Sequence, residues 1–335
     1  MLMNQYKSVL ILSTMLLTSA CGSDSNSDAV PDNLNGQFSL AVSDSPMAGV
    51  AHVGMVMNEL VMTDSTGVVL RHSLQDMAFN LLDYQGMDSH QVISGIELPE
   101  GHYHDVHINM VQGDGNQGCY VDDGQGRHAL HINNGFLPVD DFEIINGQHH
   151  SMTLEIDLYR GLSHEQAEYQ LHHEGMWSID NSQMGHLLGE VDPQWVADCE
   201  TAYADKAPTL DAQFHHLAYL YPNSVTGLNQ MADMGPTPPD TMVSPVSVSR
   251  LKQDSEGNWY FTMGYLPEGD YRVGYSCLGH LDDPATDDIT TGEFQMFKDS
   301  GTITIEAGSE GGQQNEHVCG NGNGGNHGGH HGGNG

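Results

Sequence analysis

The sequence is poor in positive charge. Only nine lysine and arginine residues stand against 45 aspartate and glutamate residues in a chain of 335, and the formal net charge is −36 at pH 7. A protein with such a negative field repels nucleic acid and anionic lipid headgroups. The composition therefore excludes nucleic acid as a partner and excludes membrane binding through a basic patch. Cations remain open as ligands.

The sequence also lacks the motifs of several common enzyme classes. It has no Gly-x-Ser-x-Gly elbow and no phosphate-binding loop. His164-Glu165 begins like the helix of a zinc protease, but Glu168 occupies the place of the second histidine. We therefore predict a non-enzymatic protein without catalytic residues. The alternative is a hydrolase whose carboxylate pair no motif marks.

The first 20 residues have the layout of a bacterial lipoprotein signal peptide. A weakly positive start is followed by the apolar run Val9 to Leu17, which is too short to span a bilayer. The segment from Leu17 to Cys21 resembles a lipobox, whose cysteine is lipidated. Gly22 stands where an inner-membrane retention signal would place aspartate. We predict a signal peptide at 1–20, lipidation at Cys21, a flexible tether at 21–35 and an outer-membrane location. The lipid on Cys21 would anchor the protein in the membrane.

Four cysteines remain besides the predicted lipidated Cys21, and none lies in a Cys-x-x-Cys pair. Cys119, Cys199, Cys277 and Cys319 would lie in an oxidising compartment, where an even number indicates disulfides. We predict a Cys199–Cys277 bond, since first and late strands of a sandwich can be neighbours. Cys119 with Cys319 is the leftover pair. The rival pairing joins Cys277 with Cys319.

One six-residue phrase occurs twice and differs only at its fifth position. The copies are Leu98-Pro99-Glu100-Gly101-His102-Tyr103 and Leu266-Pro267-Glu268-Gly269-Asp270-Tyr271. Proline presets the φ angle of a tight turn, and glycine supplies the positive φ at its exit. Tyrosine and the alternating residues after it favour a strand. The repeat predicts an all-β chain with two consecutive antiparallel β-sandwich domains, at 36–195 and 196–310.

The order of short motifs in the first half is similar to that of a known family. A first strand ends in Asp44-Ser45-Pro46, and Asn80-Leu81-Leu82, the first copy of the phrase and a strand from His150 to Leu158 follow. This order resembles the bacterial lipoprotein family known as domain of unknown function DUF4382, over residues 36–195. The resemblance implies an envelope protein and assigns no activity.

The second half resembles a different β-sandwich. Gly257-Asn258-Trp259-Tyr260-Phe261 precedes the second copy of the phrase, as in prealbumin-like or carboxypeptidase-regulatory-like modules. That resemblance implies a hairpin that places the tyrosine strand in the core, and a scaffold or binding-accessory role. We therefore expect the partner to be an extracytoplasmic protein or glycan.

The last segment, 311–335, consists mainly of Gly, Asn and His, and this composition predicts a disordered tail. His327, His330 and His331 can converge there on a weakly bound divalent metal such as Zn²⁺, Ni²⁺ or Cu²⁺. A periplasmic metal-handling protein is the second functional alternative. No other cofactor is predicted.

One acidic loop has the composition of a calcium site. Asp114, Asn116, Asp122 and Asp123 supply oxygen ligands among glycines, although their spacing fits no complete twelve-residue calcium loop. Plain Gly/Asp turns are the alternative explanation. Two acidic pairs in the second half, at 282–283 and 287–288, admit the same two interpretations.

Overall fold

The computed structural model describes residues 35–45, 50–165, 168–209, 213–235, 237–284, 286–308 and 313–320. The predicted signal peptide, the lipidation site Cys21, and the tail histidines His327, His330 and His331 lie outside these residues. Across the described ranges, no helix has both the length and the apolar character needed to cross a membrane.

The first half of the described chain is built almost entirely from strands. In chain order they are β1 Asn35–Ser45, β2 His52–Asp64, β3 Val69–Asn80, β4 His90–Pro99, β5 Gly101–Met110, β6 Tyr120–Asp122, β7 Arg127–Ile132, β8 Phe136–Pro138, β9 Phe142–Ile144, β10 His149–Asp157, β11 Leu162–Glu165, β12 Glu168–Leu171 and β13 Met176–Asp180. One short helix, α1 Leu158–Gly161, lies between β10 and β11.

These strands form two sheets. One has the order β13-β10-β1-β4, and the other has the order β11-β12-β7-β6-β2-β5-β8, with β3 added to β2 and β9 added to β5. Alternate residues of β1 explain why one sheet face is apolar, since Phe38, Leu40 and Val42 are fully buried. Phe38 stacks on Phe142 with ring centroids 4.1 Å apart, and this contact belongs to the first core.

The second half repeats the architecture with fewer strands. They are β14 Met184–Val191, β15 Leu217–Pro222, β16 Ser247–Arg250, β17 Lys252–Gln253, β18 Trp259–Pro267, β19 Gly269–Ser276, β20 Lys298–Ile305 and β21 Gln313–Cys319. The helices α2 Pro193–Ala202 and α3 Asp288–Thr291 lie in the connections. The sheets have the orders β17-β18-β14-β21 and β16-β15-β19-β20, and large buried aromatic side chains such as Tyr219, Tyr275 and Phe261 fill the core.

The prediction of an all-β chain is confirmed, although in the described chain three of the four sheets are mixed and only β16-β15-β19-β20 is purely antiparallel. Strand β1 runs parallel to β10, β7 parallel to β12, and β14 parallel to β21. In each parallel pair the partners are far apart along the chain, because parallel neighbours need a crossover connection.

The repeated phrase makes the same corner twice. Each copy carries the chain from one sheet to the other sheet of its own half, from β4 to β5 and from β18 to β19. The hydroxyl of Tyr103 donates to the carbonyl of Pro99 at 2.8 Å, and that of Tyr271 donates to the carbonyl of Pro267 at 2.9 Å. The hairpin that we expected from the second resemblance is therefore a crossover between sheets, since β18 and β19 do not pair.

The glycine of each phrase has a positive φ, 147° at Gly101 and 155° at Gly269, as the turn argument predicts. A side chain is strained at such an angle, and glycine is not. The two corners therefore have a common local cause in the sequence.

The boundary between the halves differs from the prediction. Strand β14 lies before residue 195, yet it pairs with β18 and β21 in a sheet of the second half. The prediction of a disordered tail from residue 311 is wrong for strand β21. This strand is ordered by its pairing with β14, which composition cannot reveal. By its contacts Leu34–Gly335 is one unit, and folding of the two sandwiches as separate domains stays a prediction.

The predicted Cys199–Cys277 disulfide is present, with the Cα atoms 6.1 Å apart. It joins α2 to the end of β19, and β19 pairs with the opening strand β15 as the prediction assumed. Cys119 and Cys319 are free thiols, and the leftover bond between them is not formed. The reason is placement, because Cys119 packs in the first core and Cys319 in the second.

Candidate metal centre and binding cleft

Three aspartates from two connections of the second half lie together. Asp233 follows a 3₁₀ turn that ends at residue 230, Asp282 follows the 3₁₀ turn Gly279–Leu281, and Asp288 is the first residue of α3. Each offers one carboxylate oxygen to a group in which all oxygens lie within 4.8 Å of one another. Asp233 is fully buried and Asp282 is 5% exposed. We call these three residues the aspartate cluster.

Hydrogen bonds hold the carboxylates of the cluster in place. Asp282 accepts from the hydroxyl of Tyr219 at 2.6 Å and from the backbone N–H of Met234 at 3.2 Å. The Oδ2 atom of Asp233 accepts from the N–H of Ile289 at 2.8 Å. These bonds tie the loops together and fix the direction of each acid.

The remaining acid of the cluster, Asp288, accepts from the N–H of Asp283 at 2.8 Å. Within the described ranges, no lysine, arginine or histidine nitrogen lies within ion-pair distance of the three carboxylates. The cluster therefore concentrates negative charge that no neighbouring side chain neutralises.

Burial raises the pKa values of two carboxyl groups of the cluster. It raises the pKa of Asp282 to about 7, against which the Tyr219 hydrogen bond acts. It also raises the pKa of Asp233. A buried carboxylate is stabilised either by a proton or by a cation, and both are chemically open to this arrangement.

The predicted calcium loop is arranged differently. Asp114, Asp122 and Asp123 each accept a hydrogen bond from the backbone N–H two residues further on, at 2.8 to 2.9 Å, and for Asp114 that donor is Asn116. In the part of the chain that the structure describes, the three carboxylates do not converge as those of the aspartate cluster do. Turns of this kind are the alternative that the composition left open. Calcium at this loop stays a prediction.

A cleft lies between the two halves. Its volume is about 360 Å³, and its lining includes Arg160 of α1, Trp177 and Ser178 of β13, and Pro267 and Tyr271 of the second corner. The cleft thus brings aromatic and apolar surface together with one of the few cations of the chain.

Local structure positions helix α1, which carries Arg160, and the indole of Trp177. Asp157 caps α1 by accepting from the N–H groups of Tyr159 and Arg160, at 3.0 and 3.2 Å. The indole N–H of Trp177 donates to the carbonyl of Tyr265 at 3.3 Å, which fixes the ring against the second half. The charge of Arg160 acts on the buried Asp157 carboxylate and opposes the rise in its pKa, but within the described residues the guanidinium makes no hydrogen bond or close ion pair.

Several histidines within the described ranges make ordinary hydrogen bonds. His216 is an example from the second core. Its Nδ1 atom lies 2.8 Å from the hydroxyl of Tyr275, and its Nε2 atom lies 3.2 Å from a carboxylate oxygen of Glu200. Burial lowers the pKa of His216 to about 4, so that the ring is neutral at pH 7.

Sequence reasoning found part of these two sites. The acidic pairs at 282–283 and 287–288 were considered as calcium ligands, and one member of each lies in the aspartate cluster. Asp233 was missed, although an acid inside the apolar run Met231-Ala232-Asp233-Met234 is a signal of a buried carboxylate. Arg160 and Trp177 were also missed, and the scarcity of basic residues is the signal that marks Arg160.

Comparison with known families confirms the resemblance of the first half. Residues 35–172 match the model of the family described as domain of unknown function (DUF4382). These residues comprise β1 to β12 and α1, so the match ends before β13 and the second half. No curated protein matches the chain.

Two solved structures show distant likenesses to this chain. The chain has 10% identity to the Bacillus anthracis TIE protein, with a TM-score of 0.18, and the match covers 85% of this chain and 33% of that protein. It has 10% identity to the fimbrial anchor protein Mfa2 from Porphyromonas gingivalis, with a TM-score of 0.17, covering 81% of this chain and 83% of that one. Both TM-scores are low, so neither likeness bears on the function proposed below.

Proposed function

We propose that the mature protein is a non-enzymatic binding protein of the cell envelope, held at the outer membrane by a lipid on Cys21, and that its cleft binds a glycan. The observation that carries the binding role is that one cleft holds both the exposed side chain of Arg160 and the indole of Trp177. Concave sites lined by aromatic residues with a few polar groups are the usual form of a ligand site.

The chemistry of the cleft suits a sugar. Trp177 and Tyr271 offer flat apolar rings, against which the C–H faces of a pyranose pack. The guanidinium of Arg160 presents up to five N–H donors, and the hydroxyl of Ser178 can donate or accept. Such groups match the ring hydroxyls or a carboxylate of a sugar. The strongly negative charge of the rest of the chain leaves Arg160 as the local attraction for an acidic sugar.

Two further observations support the envelope location. The lipobox from Leu17 to Cys21 is the sequence argument for the anchor. The buried Cys199–Cys277 disulfide is of the kind that persists in oxidising compartments. The two arguments are independent, because one rests on a targeting segment and the other on the folded core.

A glycan array followed by titration of the best ligand tests the binding role. We expect Arg160→Gln and Trp177→Phe each to weaken binding at least tenfold, while Arg250→Gln leaves it unchanged. Arg250 is the matched control because it is an exposed arginine on β16, outside the cleft lining. Glycan binding that survives both cleft variants, or an array without any ligand, would contradict the proposal.

A further inference from the structure

We propose that Asp233, Asp282 and Asp288 bind a single calcium ion. Calcium takes oxygen ligands at 2.3–2.6 Å, so two ligands on opposite sides of one ion lie about 5 Å apart. The three carboxylate oxygens of the cluster lie within 4.8 Å of one another, which is the spacing of oxygens around one such ion.

A second observation points to a cation at the cluster. Asp233 is fully buried, and its Oδ1 atom has no hydrogen-bond partner among the described residues, whereas its Oδ2 atom accepts from Ile289. Leaving a charged oxygen buried without a partner is strongly unfavourable, because desolvation is not repaid. A calcium ion at the cluster supplies that partner.

The ligand types select the ion. All three groups are carboxylates, which favour hard cations such as calcium over zinc, nickel or copper. Magnesium demands an octahedral shell at 2.0–2.1 Å and retains most of its water. The flexible shell of calcium accepts three acids from two connections more readily, with backbone carbonyls or water completing it.

The site would tie together loops that are far apart in sequence. Asp233 lies between β15 and β16, whereas Asp282 and Asp288 lie between β19 and β20. The ion would therefore couple two connections that leave opposite ends of their sheet, and its binding should stabilise the folded state. This inference does not depend on the cleft or on the lipid anchor.

Unfolding of the whole chain by heat and by denaturant tests the proposal. The protein is first stripped of metal with a chelator and then titrated with CaCl₂. Calcium at a hundredfold excess over its Kd should raise the folding equilibrium constant about 100-fold, and the midpoint of thermal unfolding should rise with concentration. MgCl₂ at the same concentrations should have a clearly smaller effect. Asp233→Asn and Asp288→Asn should each lower calcium affinity at least tenfold.

Asp240→Asn is the matched control, because it removes an exposed acid of the same half that is outside the cluster. It should retain the calcium response. Asp288 is only half-buried, so its variant keeps the test valid if Asp233→Asn fails to fold. A parent protein without a calcium response would mean that protons neutralise the cluster, and would overturn the proposal. A response lost in Asp122→Asn and kept in Asp288→Asn would overturn it by moving calcium to the predicted loop.

Discussion

Removal of the Cys199–Cys277 disulfide should destabilise the second half in particular. The bond closes a loop of 78 residues, and the chain-entropy model assigns about 4.5 kcal/mol at 25 °C to the closure of a loop of that length. This free energy arises because the cross-link restricts the unfolded chain. We expect Cys199→Ala/Cys277→Ala to lose about that much free energy of unfolding, beyond the loss from two buried sulfur atoms.

The chain offers a matched control for the loss of sulfur. Cys119 and Cys319 are also fully or almost fully buried, and burial raises their thiol pKa values to about 11 and about 12. Cys119→Ala/Cys319→Ala therefore removes two buried sulfur atoms and leaves the disulfide intact. The difference between the two double variants isolates the cross-link.

Urea unfolding followed by tryptophan fluorescence measures that difference. Trp195 lies in α2, the helix that carries Cys199, and packs in the second core. If the two halves unfold separately, only the transition reported by the second half should shift. Equal free energies of unfolding for the two double variants would refute the reasoning, as would a non-reducing peptide map that shows Cys199 as a free thiol.

The remaining predictions concern single positions. The pKa of His216 is about 4 in the folded state and about 6.5 in the unfolded chain, so its contribution is complete above pH 6.5 and is lost as pH falls towards 4. The stability difference between parent and His216→Gln should change by about 3 kcal/mol between pH 7 and pH 4 in urea titrations, and a constant difference would contradict this. Tyr103→Phe should lower the free energy of unfolding by about 1 kcal/mol, and Tyr271→Phe should lower it less, because Tyr103 is buried whereas Tyr271 is partly exposed. Equal losses in thermal unfolding would argue against the hydrogen bond at the corner as the cause. Cys21→Ser should leave the precursor unprocessed and unlipidated, and mass spectrometry showing an unmodified mature N-terminus elsewhere would remove the anchor from the proposal.

The features that sequence predicted correctly have local causes. The Pro-Glu-Gly segment of each repeated phrase specifies a turn by its own backbone preferences, and the tyrosine that follows completes the corner with the carbonyl four residues earlier. Alternation in β1 predicted a buried face for the same reason. The disulfide required one more assumption, that a first and a late strand are neighbours, and the pairing of β15 with β19 confirms it.

Tertiary structure alone decided the features that join distant segments. The pairing of β14 with β21 places β14 in a sheet of the second half and orders residues 313–319 of the predicted tail. Sequence could not reveal this pairing, because hydrogen bonds between separated strands leave no periodic pattern in either strand. The aspartate cluster arises in the same way, since Asp233 and the two acids between β19 and β20 meet only after the two connections pack against each other. The cleft likewise needs Arg160 and Trp177 from one half and Tyr271 from the other. Composition and spacing describe each segment by itself, whereas a site depends on the packing that brings segments together.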